Sequence, residues 1–479
     1  MRYLFTLFFC IDLFVGSLSC FAQEKKWSLE DCIAYAIENN IRIQLTVLQE
    51  EGASIRKDMA FGQFLPSVTG NGQHSWLLAD GADLVSKQIK SQTTQTTTLG
   101  VSANVVLYQG MQLQNKLVKA RLEHLSSVYQ VQKMKEDIAL NVINSYLQII
   151  FIKELVKTNK VQLEYDKEDE GRTNQLVQAG VVPAGDLLDI KANVANSNQR
   201  LIQSQNELVM AKLNLAQLLQ LKDFEHFDVL DSDYDITPSK LLLETPSAIA
   251  NQAAEKLTTI KKAELNVEIA HKDVQIMKGA YQPLLQGFYS LGTTVNYQDR
   301  LVGSTLDRSN PWVSIGQVQG TGQEVVAPNY RSVVGGPESF FTQFNNNLNS
   351  NFGFRLTIPI FQGLSIRNNV KLGQLALKQR INEKEVAVLE LEQLVFKAYT
   401  DTESAYKSYE ASNVTLTSRQ TSLQYARERY KAGLISVFDL NQNQNLYVTA
   451  QSNLLKAKYD YIFKNKILEY YFGVPLFRN

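Results

Sequence analysis

The sequence of 479 residues contains little cysteine, little proline and no net charge. Two of its three cysteines, Cys10 and Cys20, lie within the first 22 residues, so loss of an N-terminal leader would leave Cys32 alone. A disulfide within the mature chain is then impossible, and a small buried residue is the simplest role for Cys32. Because the 48 basic residues balance the 48 acidic ones, the composition offers no electrostatic argument for binding nucleic acid.

The sequence also lacks the residue patterns on which catalysis depends. It contains no phosphate-binding glycine loop and no nucleophile elbow, and Gly335-Gly336 is typical of a turn. The four histidines are scattered without the spacing of metal ligands: His74, His124, His226 and His271. We therefore expect a protein that is not an enzyme and that needs no metal and no cofactor.

The first 22 residues are typical of a secretory signal peptide. Arg2 precedes an apolar run over 4–15, and Cys20-Phe21-Ala22 resembles a small-x-small cleavage site before Gln23. In an alternative interpretation, Cys20 is acylated and anchors a lipoprotein. No later stretch of about 18 apolar residues predicts a transmembrane helix, so the exported chain is either soluble or held in a membrane by β-strands.

Proline is absent from 67–182 and from 360–474, and each of these spans contains a long run of good helix formers. In the runs 111–178 and 364–431, apolar residues recur every three to four positions, which predicts amphipathic helices. A helix of that length extends about 100 Å, far more than a globular domain needs. Each run stops at an Ala-Gly break, near 179–186 and near 432–439, and a second helix follows. The pattern predicts two helical hairpins, over 111–221 and 364–472.

The two hairpins form one repeat. Adding 253 to the residue number aligns Gln109-Gly110 with Gln362-Gly363, and the same shift aligns the two Ala-Gly breaks without a gap. Adding 217 aligns Gly62, Pro66 and Gly70 with Gly279, Pro283 and Gly287. The difference between the shifts predicts an insertion of about 36 residues in the second half, and the Gly-, Ser- and Asn-rich segment 298–347 is expected to be this insertion, a surface loop.

Alternating residues between the helices predict four β-strands. They cover 66–78, 95–108, 284–297 and 348–361, and each half (23–247 and 248–479) begins with a helix, the first one capped by Ser28. The segment 222–247 is expected to be an irregular equatorial link. Four strands cannot close a barrel, and lipid does not tolerate open sheet edges, so strands that span a membrane would have to be shared among several chains.

Short motifs along the mature chain resemble the TolC family of outer-membrane efflux proteins. They are the start Trp27-Ser28-Leu29-Glu30-Asp31, the prolines before the strands, the strand exits Tyr108-Gln109-Gly110 and Phe361-Gln362-Gly363, and two Ala-Gly tips with Asp six residues after the Gly. The resemblance implies a mainly α fold with a membrane β-barrel portion: a homotrimer with a 12-stranded barrel in outer-membrane lipid and a periplasmic α-barrel. It also implies partners, namely a periplasmic membrane-fusion adaptor and an inner-membrane transporter of the resistance-nodulation-division or ABC type, and no nucleic acid.

The resemblance also suggests roles for residues at the tips. Asp439 matches an acidic ring at the pore constriction, Tyr430 matches a latch tyrosine, and Asp186 matches its partner in the first half. Two positions depart from the family pattern, because Gln442 replaces a second ring residue and Ile435 replaces a latch arginine. The simpler alternatives are that the two aspartates stabilise helix N-termini and that Tyr430 is an ordinary packed aromatic.

Gly180, Val181, Gly433 and Leu434 match the tip positions that contact the adaptor in the family, although a tight turn alone also needs glycine. Four strand aromatics are expected to face lipid or form an interfacial girdle, with a soluble sheet core as the alternative: Tyr289, Tyr297, Phe352 and Phe354.

The sequence thus favours an exit duct of a tripartite efflux pump that exports small molecules such as drugs. Three alternatives remain open at this point: the outer-membrane component of type I protein secretion, a coiled-coil surface protein, and a periplasmic scaffold that binds partner helices. The exported substrate and the cognate pump are not encoded in any recognisable motif.

Overall fold

A computed structural model describes residues 26–82, 88–222, 226–231 and 236–476. The expected signal peptide, 1–22, and Cys20 lie outside the described residues. The chain divides into a helical unit, formed by the described residues of Met1–Ser54, Leu122–Ile269 and Leu377–Asn479, and a sheet unit, formed by those of Ile55–Arg121 and Ala270–Ala376.

The described part of the chain is mainly helical, as expected from the fold class. The α-helices, in chain order, are α1 Leu29–Asn39, α2 Ile41–Gly62, α3 Gln112–Gln178, α4 Ala184–Leu219, α5 Pro246–Lys256, α6 Thr258–Gly279, α7 Phe340–Asn346, α8 Ser365–Lys431 and α9 Val437–Phe472. The strands are β1 Ser67–Ala82, β2 Ile89–Gln109, β3 Leu284–Asn296, β4 Arg300–Leu306, β5 Trp312–Gln317, β6 Glu324–Pro328, β7 Tyr330–Gly335 and β8 Asn349–Thr357.

The helices of the two halves repeat each other end for end. Adding 253 to the bounds of α3 and α4 gives the bounds of α8 and α9. Adding 217 to the bounds of α1 and α2 gives those of α5 and α6. The backbone repeats as well: Gly110 and Met111 have φ of 55° and 59°, and Gly363 and Leu364 have φ of 56° and 64°. Sequence and conformation therefore give one supersecondary unit used twice.

Matching residues of the two long helices anchor matching cores. Val142 of α3 and Val395 of α8 are both fully buried. One turn later, Tyr146 donates a hydrogen bond to the Leu230 carbonyl at 3.1 Å, and its counterpart Tyr399 donates to the Leu242 carbonyl at 3.0 Å. Each tyrosine satisfies its hydroxyl on an irregular backbone segment, which ties that segment to the long helix.

The helix that begins the first half is interrupted. Ser28 caps α1 through a capping box with Asp31, as its position predicts. Asn40 then leaves helical geometry, and its side chain donates to the Leu218 carbonyl and accepts from the Arg42 amide. These local bonds end α1 and start α2, which is the usual effect of asparagine competing with the helix backbone.

One apolar stretch of α3 is long enough to cross a membrane by length and composition, contrary to the sequence expectation. Half of that window is buried inside the protein. The same helix contributes Ile138, Val142 and Tyr146 to the main hydrophobic cluster, where they pack with residues of α1 and α4. The apolar character of α3 is therefore explained by its place in the core of the helical unit.

Four strands form one antiparallel sheet in the order β1-β2-β3-β8. Within the described residues, the outer edges on β1 and β8 have no partner strand. β1 and β2 are longer than the sequence pattern predicts, because their ladder continues as far as Ala82↔Ile89, and β8 is shorter, since it ends at Thr357.

The inserted segment has more regular structure than the sequence predicts. The segment 298–347 was expected to be a loop, but it contains a two-part β-ribbon, in which β4 pairs with β7 and β5 with β6, followed by α7. α7 is tied to β3 by hydrogen bonds between Gln343 and the Asn296 backbone and by one from Thr293 to the Phe344 carbonyl. The alternation of this segment was masked by a bulge in each strand pair, at Leu301/Gly303 and Ser314/Gly316.

The equatorial segment 222–247 is shorter than expected. Within its described residues, Val229 forms a β-bridge with Trp27, a 3₁₀ turn covers Lys240–Leu243, and α5 already begins at Pro246. Thr245 caps α5, and a proline at the first helical position suits a helix start. The end of the expected irregular link is therefore the start of a helix.

Candidate functional site

The first tip is a tight turn between α3 and α4. Gly180 adopts φ 71°, and the Val181 amide donates to the Leu176 carbonyl at 2.9 Å, which closes α3 with a glycine C-cap. A side chain added at Gly180 would meet open space, and Val181 is 67% exposed. Asp186 lies in the first turn of α4, where its charge interacts favourably with the helix dipole.

The second tip repeats this geometry with a stronger cap. Gly433 has φ 69°, and the Leu434 amide donates to the Arg429 carbonyl at 2.9 Å. Ser436 then caps α9: its hydroxyl donates to the Asp439 carboxylate at 2.7 Å, while the Asp439 amide donates to the Ser436 hydroxyl at 3.2 Å. Leu434 is 68% exposed, so both tips present one large apolar side chain beside an open glycine.

Asp439 is an exposed carboxylate with a lowered pKa. The hydrogen bonds from the Ser436 hydroxyl and backbone are the main cause, and the positive charge of Arg429 adds to it. Its helix-capping role, one of the two alternatives, is therefore observed directly. The capping bonds leave the charge exposed at the tip, so a second role in the pore is compatible with the first.

Tyr430 lies in the last turn of α8, and its buried hydroxyl forms no well-placed hydrogen bond within the described chain. Burial raises the pKa of this phenol; a weak interaction with the Thr173 hydroxyl opposes the rise, and the carboxylates of Asp186 and Asp169 reinforce it. The negative charge of Asp186 thus disfavours ionisation of the Tyr430 phenol, but no hydrogen bond joins the two side chains. Ile435, at the family's arginine position, packs against the Leu423–Leu440 cluster instead.

A buried polar junction above the tips was missed by the sequence reasoning. Asp166 of α3 is 8% exposed and accepts hydrogen bonds from Gln162 at 2.7 Å, from Ser197 of α4, and from Gln444 of α9 at 3.0 Å. Burial raises the pKa of Asp166, and the hydrogen bonds and Arg200 only partly oppose this. One carboxylate therefore joins both helical hairpins.

A heptad of polar residues could have revealed this junction. Asn159, Asp166 and Thr173 follow one another at seven-residue intervals in α3, and all are buried. Asn159 donates to Ser204 of α4 at 3.1 Å, so successive layers of the α3–α4 hairpin are polar. Polar residues at a regular core spacing indicate pairing that must be specific in register.

The sheet has one apolar and one polar face. The strand register places these apolar residues on one face: Val68, Val101, Val105, Leu285, Tyr289, Leu291, Phe352, Phe354 and Leu356. The opposite face carries mainly polar residues: Thr69, Asn71, Gln73, Ser102, Asn104, Gln286, Ser290, Asn351 and Arg355. α7 covers Thr293 and Val295 at one end of this face, whereas Phe352 and Phe354 are each 77% exposed and have no core in the described chain. Exposed apolar residues along one face of a sheet indicate contact with lipid.

Aromatic residues with polar groups border the apolar face towards the β1–β2 and β3–β4 turns. His74 packs edge-on against Trp76 with ring centroids 4.3 Å apart, and its Nδ1 lies 2.8 Å from the Thr97 hydroxyl. Tyr297 is hydrogen-bonded to the same hydroxyl at 3.2 Å. Amphipathic rings in this position are typical of a membrane–water interface. The sequence analysis did not assign His74 and Trp76 to this border, although their spacing of two places them on one face.

The chain matches one family of known proteins over most of its length. The family model described as "Outer membrane efflux protein" matches residues 33–220 and 249–473. A relative named "Toxin and drug export protein A" from Aggregatibacter actinomycetemcomitans is 20% identical over 451 residues, covering 91% of this chain and 84% of the relative.

Solved structures of outer-membrane channels share the fold. CusC superposes with a TM-score of 0.75 at 16% identity, covering 93% of this chain and 92% of CusC. The Campylobacter jejuni CmeC channel gives a TM-score of 0.74 at 16% identity, covering 93% and 85%. VceC from Vibrio cholerae gives 0.73 at 12% identity, covering 93% and 96%.

Proposed function

Because the chain belongs to the outer membrane efflux protein family, we propose that it is the exit duct of a tripartite efflux pump and carries small molecules across the outer membrane. The observation that carries this proposal is the open four-stranded sheet with an apolar and a polar face. Such a sheet is stable in lipid only when it closes into a barrel, with the apolar face outward and the polar face lining a water-filled pore.

We propose that three copies share this barrel. The free edges of β1 and β8 supply two complementary edges per chain, and three four-stranded sheets give twelve strands. Antiparallel order is preserved at each join, because the even number of strands leaves β1 and β8 running in opposite directions. The assembly would lie in the outer membrane, with the helical hairpins in the periplasm.

The tips are proposed to dock on a periplasmic adaptor. Gly180 and Gly433 leave the backbone accessible, and the exposed Val181 and Leu434 beside them provide apolar contacts. A partner helix hairpin can approach a glycine turn closely, which favours this surface over the charged helix faces. The transporter in the inner membrane would supply the energy, and the duct itself would catalyse no reaction.

The acidic ring and the latch are proposed as features of the closed entrance. Asp439 keeps an exposed negative charge at the tip, and three copies would bring three such charges near one axis. Tyr430 and Asp186 are neighbours that lack a hydrogen bond within one chain. The assembled closed state would supply that bond.

Protein export is a second candidate. The relative from Aggregatibacter actinomycetemcomitans carries toxin as well as drug export in its name, and it aligns with 91% of this chain. A type I secretion component would use the same barrel and helices with an ABC exporter.

An accumulation assay in cells tests the proposal and separates the two candidates. Deletion of this chain should raise intracellular accumulation of small dyes and drugs, and re-expression should restore export. Loss of a secreted protein with unchanged dye accumulation would favour protein secretion. Unchanged transport of both classes would contradict the duct.

A further inference from the structure

The backbone that follows β2 crosses the backbone that precedes β3 at close range inside the chain. An added Cβ on Gly110 would overlap the Gly279 carbonyl oxygen, and an added Cβ on Gly279 would overlap the Gly110 carbonyl oxygen. The two backbones are thus in direct contact where the strands leave the sheet for the helices. Only glycine at both positions allows this approach.

The internal repeat places the same two glycines at the free edges of the sheet. Gly363 is the counterpart of Gly110 and follows β8, and Gly62 is the counterpart of Gly279 and precedes β1. Gly363 has the left-handed conformation of Gly110, with φ 56°, and Gly62 ends its helix as Gly279 does. Yet a Cβ at either Gly62 or Gly363 would meet nothing within 4 Å among the described residues. The chain thus contains both glycines of a second crossing, but the two do not contact each other.

The internal repeat also relates a pair of side chains that lies next to the glycine crossing. In the chain, the Tyr108 hydroxyl is hydrogen-bonded to Gln282 beside the glycine crossing. The counterparts of these residues are Phe361 and Leu65, which are both apolar and strongly exposed. An apolar pair left in solvent at the two free edges indicates a contact that a second chain completes.

We propose that β8 of one copy pairs with β1 of the next in the register that β2 and β3 use within one chain, and that Gly363 then crosses Gly62 of the neighbour. The proposal rests on the exit duct proposed above, because it describes the join that closes the shared barrel. The expected pairs follow when 253 is added to the β2 residue and 217 is subtracted from the β3 residue of each β2–β3 pair. Asn351 then lies opposite Leu77, Phe352 opposite Trp76 and Phe354 opposite His74. Phe361 and Leu65 become neighbours at the end of the paired strands, next to the Gly363–Gly62 crossing.

Two independent features agree with this register. The translated pairs keep Phe352 and Phe354 on the same face as Trp76 and His74, and a slip by one residue would reverse the faces. The β2–β3 pairing has a bulge between Val106 and Tyr108, and the counterparts of these residues in β8 and its continuation are Pro359 and Phe361. Proline lacks an amide hydrogen and is tolerated in sheets mainly at edges and bulges, so Pro359 fits a position beside the bulge.

Paired cysteines test the register in the full-length protein. The double variant Asn351→Cys/Leu77→Cys places two thiols directly opposite each other on the polar face, where the Cβ separation of about 4.5–5.5 Å is close to the range that a disulfide needs. Asn351→Cys/Ser75→Cys and Asn351→Cys/Ala79→Cys are matched controls, because each tests a slip by two residues with the faces unchanged. Cys32 does not compete, because it is buried and burial raises its pKa to about 12.

We expect mild oxidation to convert the first variant into a covalent trimer, with about tenfold more product than either control. Native mass measurement of the same samples in detergent reports assembly separately. A trimer that crosslinks only in a slipped pair, or in none of the three, would overturn the register and leave the duct intact. A chain that never forms a trimer would overturn the proposed function as well.

A glycine substitution tests the crossing itself. Gly62→Leu has open space within one chain but would collide with Gly363 of the neighbour, so it should retain the helical circular dichroism of the wild type and lose trimers. Gly279→Ala is the contrasting variant, since its clash lies inside the chain and should lower the yield of folded protein. Normal trimer formation by Gly62→Leu would contradict the crossing.

Discussion

The Asp439 carboxylate combines a helix cap and an exposed charge, and two neighbouring substitutions separate these properties. Asp439→Asn removes the charge, while Ser436→Ala removes the hydroxyl that both donates to Asp439 and accepts from its amide. We expect Asp439→Asn to reduce the cation preference of single channels in planar bilayers. Ser436→Ala should keep that preference and lose about 1 kcal/mol of stability through the missing cap.

The pH dependence of this effect has a defined sign. The Ser436 hydrogen bonds lower the pKa of Asp439, so the charge and its stabilising bonds persist above the ordinary aspartate range and are lost as the pH falls through the lowered value. Cation preference should therefore be constant from neutral pH down to about pH 5. Equal ion selectivity in Asp439→Asn and wild type would remove Asp439 from the pore.

Tyr430 and Asp186 provide a second test with single residues. The buried Tyr430 hydroxyl forms no well-placed bond within the described chain, so Tyr430→Phe should fold with nearly unchanged stability. If the closed assembly supplies a bond to Asp186, then Tyr430→Phe and Asp186→Asn should each raise single-channel conductance. The double variant should add little to Tyr430→Phe, because that change already removes the bond of about 0.5–1.5 kcal/mol that Asp186→Asn weakens by removing the charge of its acceptor. Unchanged conductance in both single variants, with normal trimer yield, would make Tyr430 a packing residue.

Among the elements, α3, α4 and α9 meet at the buried Asp166 carboxylate. Because burial raises the pKa of Asp166, the folded state holds a proton more strongly than the unfolded chain, and stability should increase as the pH falls from neutral towards the ordinary aspartate value. Asp166→Asn should weaken this pH dependence and leave stability at neutral pH equal or higher. Thermal unfolding at about pH 8 and about pH 5 measures the difference, with the exposed Asp189→Asn in α4 as control. The same slope in wild type and Asp166→Asn would contradict the expectation.

The β4–β7 ribbon allows a test of orientation. Strand order places it beyond β3, at the opposite end of that strand from the α6 connection, which is the cell surface if the helices lie in the periplasm. Trypsin added to intact cells should cut after the exposed Arg308, between β4 and β5, while Lys431 at the second tip stays protected until the outer membrane is permeabilised. Cleavage near Lys431 with an intact ribbon would reverse the orientation.

Much of the element structure could be predicted from the sequence, because the long helices depend on local signals. Apolar spacing, proline-free runs and glycine stops act over a few residues, and the structure begins α3 and α8 one residue after the predicted positions. The ribbon in 298–347 and the long ends of β1 and β2 depend on pairing between distant segments, which composition does not reveal. Asp166 was missed for the same reason, since its partners Ser197 and Gln444 lie far away in the sequence.

On the scale of the whole molecule, three features of the single chain all indicate contacts with further copies or with lipid. In its described residues, the sheet has two free edges, Phe352 and Phe354 of the apolar face are exposed, and two of the four repeated glycines lack the crossing that the other two make. The tip residues Gly180, Val181, Gly433 and Leu434 are exposed as the sequence resemblance implies, but their contact with an adaptor stays a prediction. The glycine motifs could predict the tip turns because they are local signals, whereas the contacts of the closed entrance depend on neighbouring chains.

The most direct test of the central claim, a duct built from shared sheets, is the native mass of the protein extracted from outer membranes in detergent. Free edges on β1 and β8 and an uncovered apolar face require closure by further copies. The account predicts a single species with three times the mass of the mature chain, stable only while detergent covers the sheet. A stable monomer that stays soluble without detergent would contradict it.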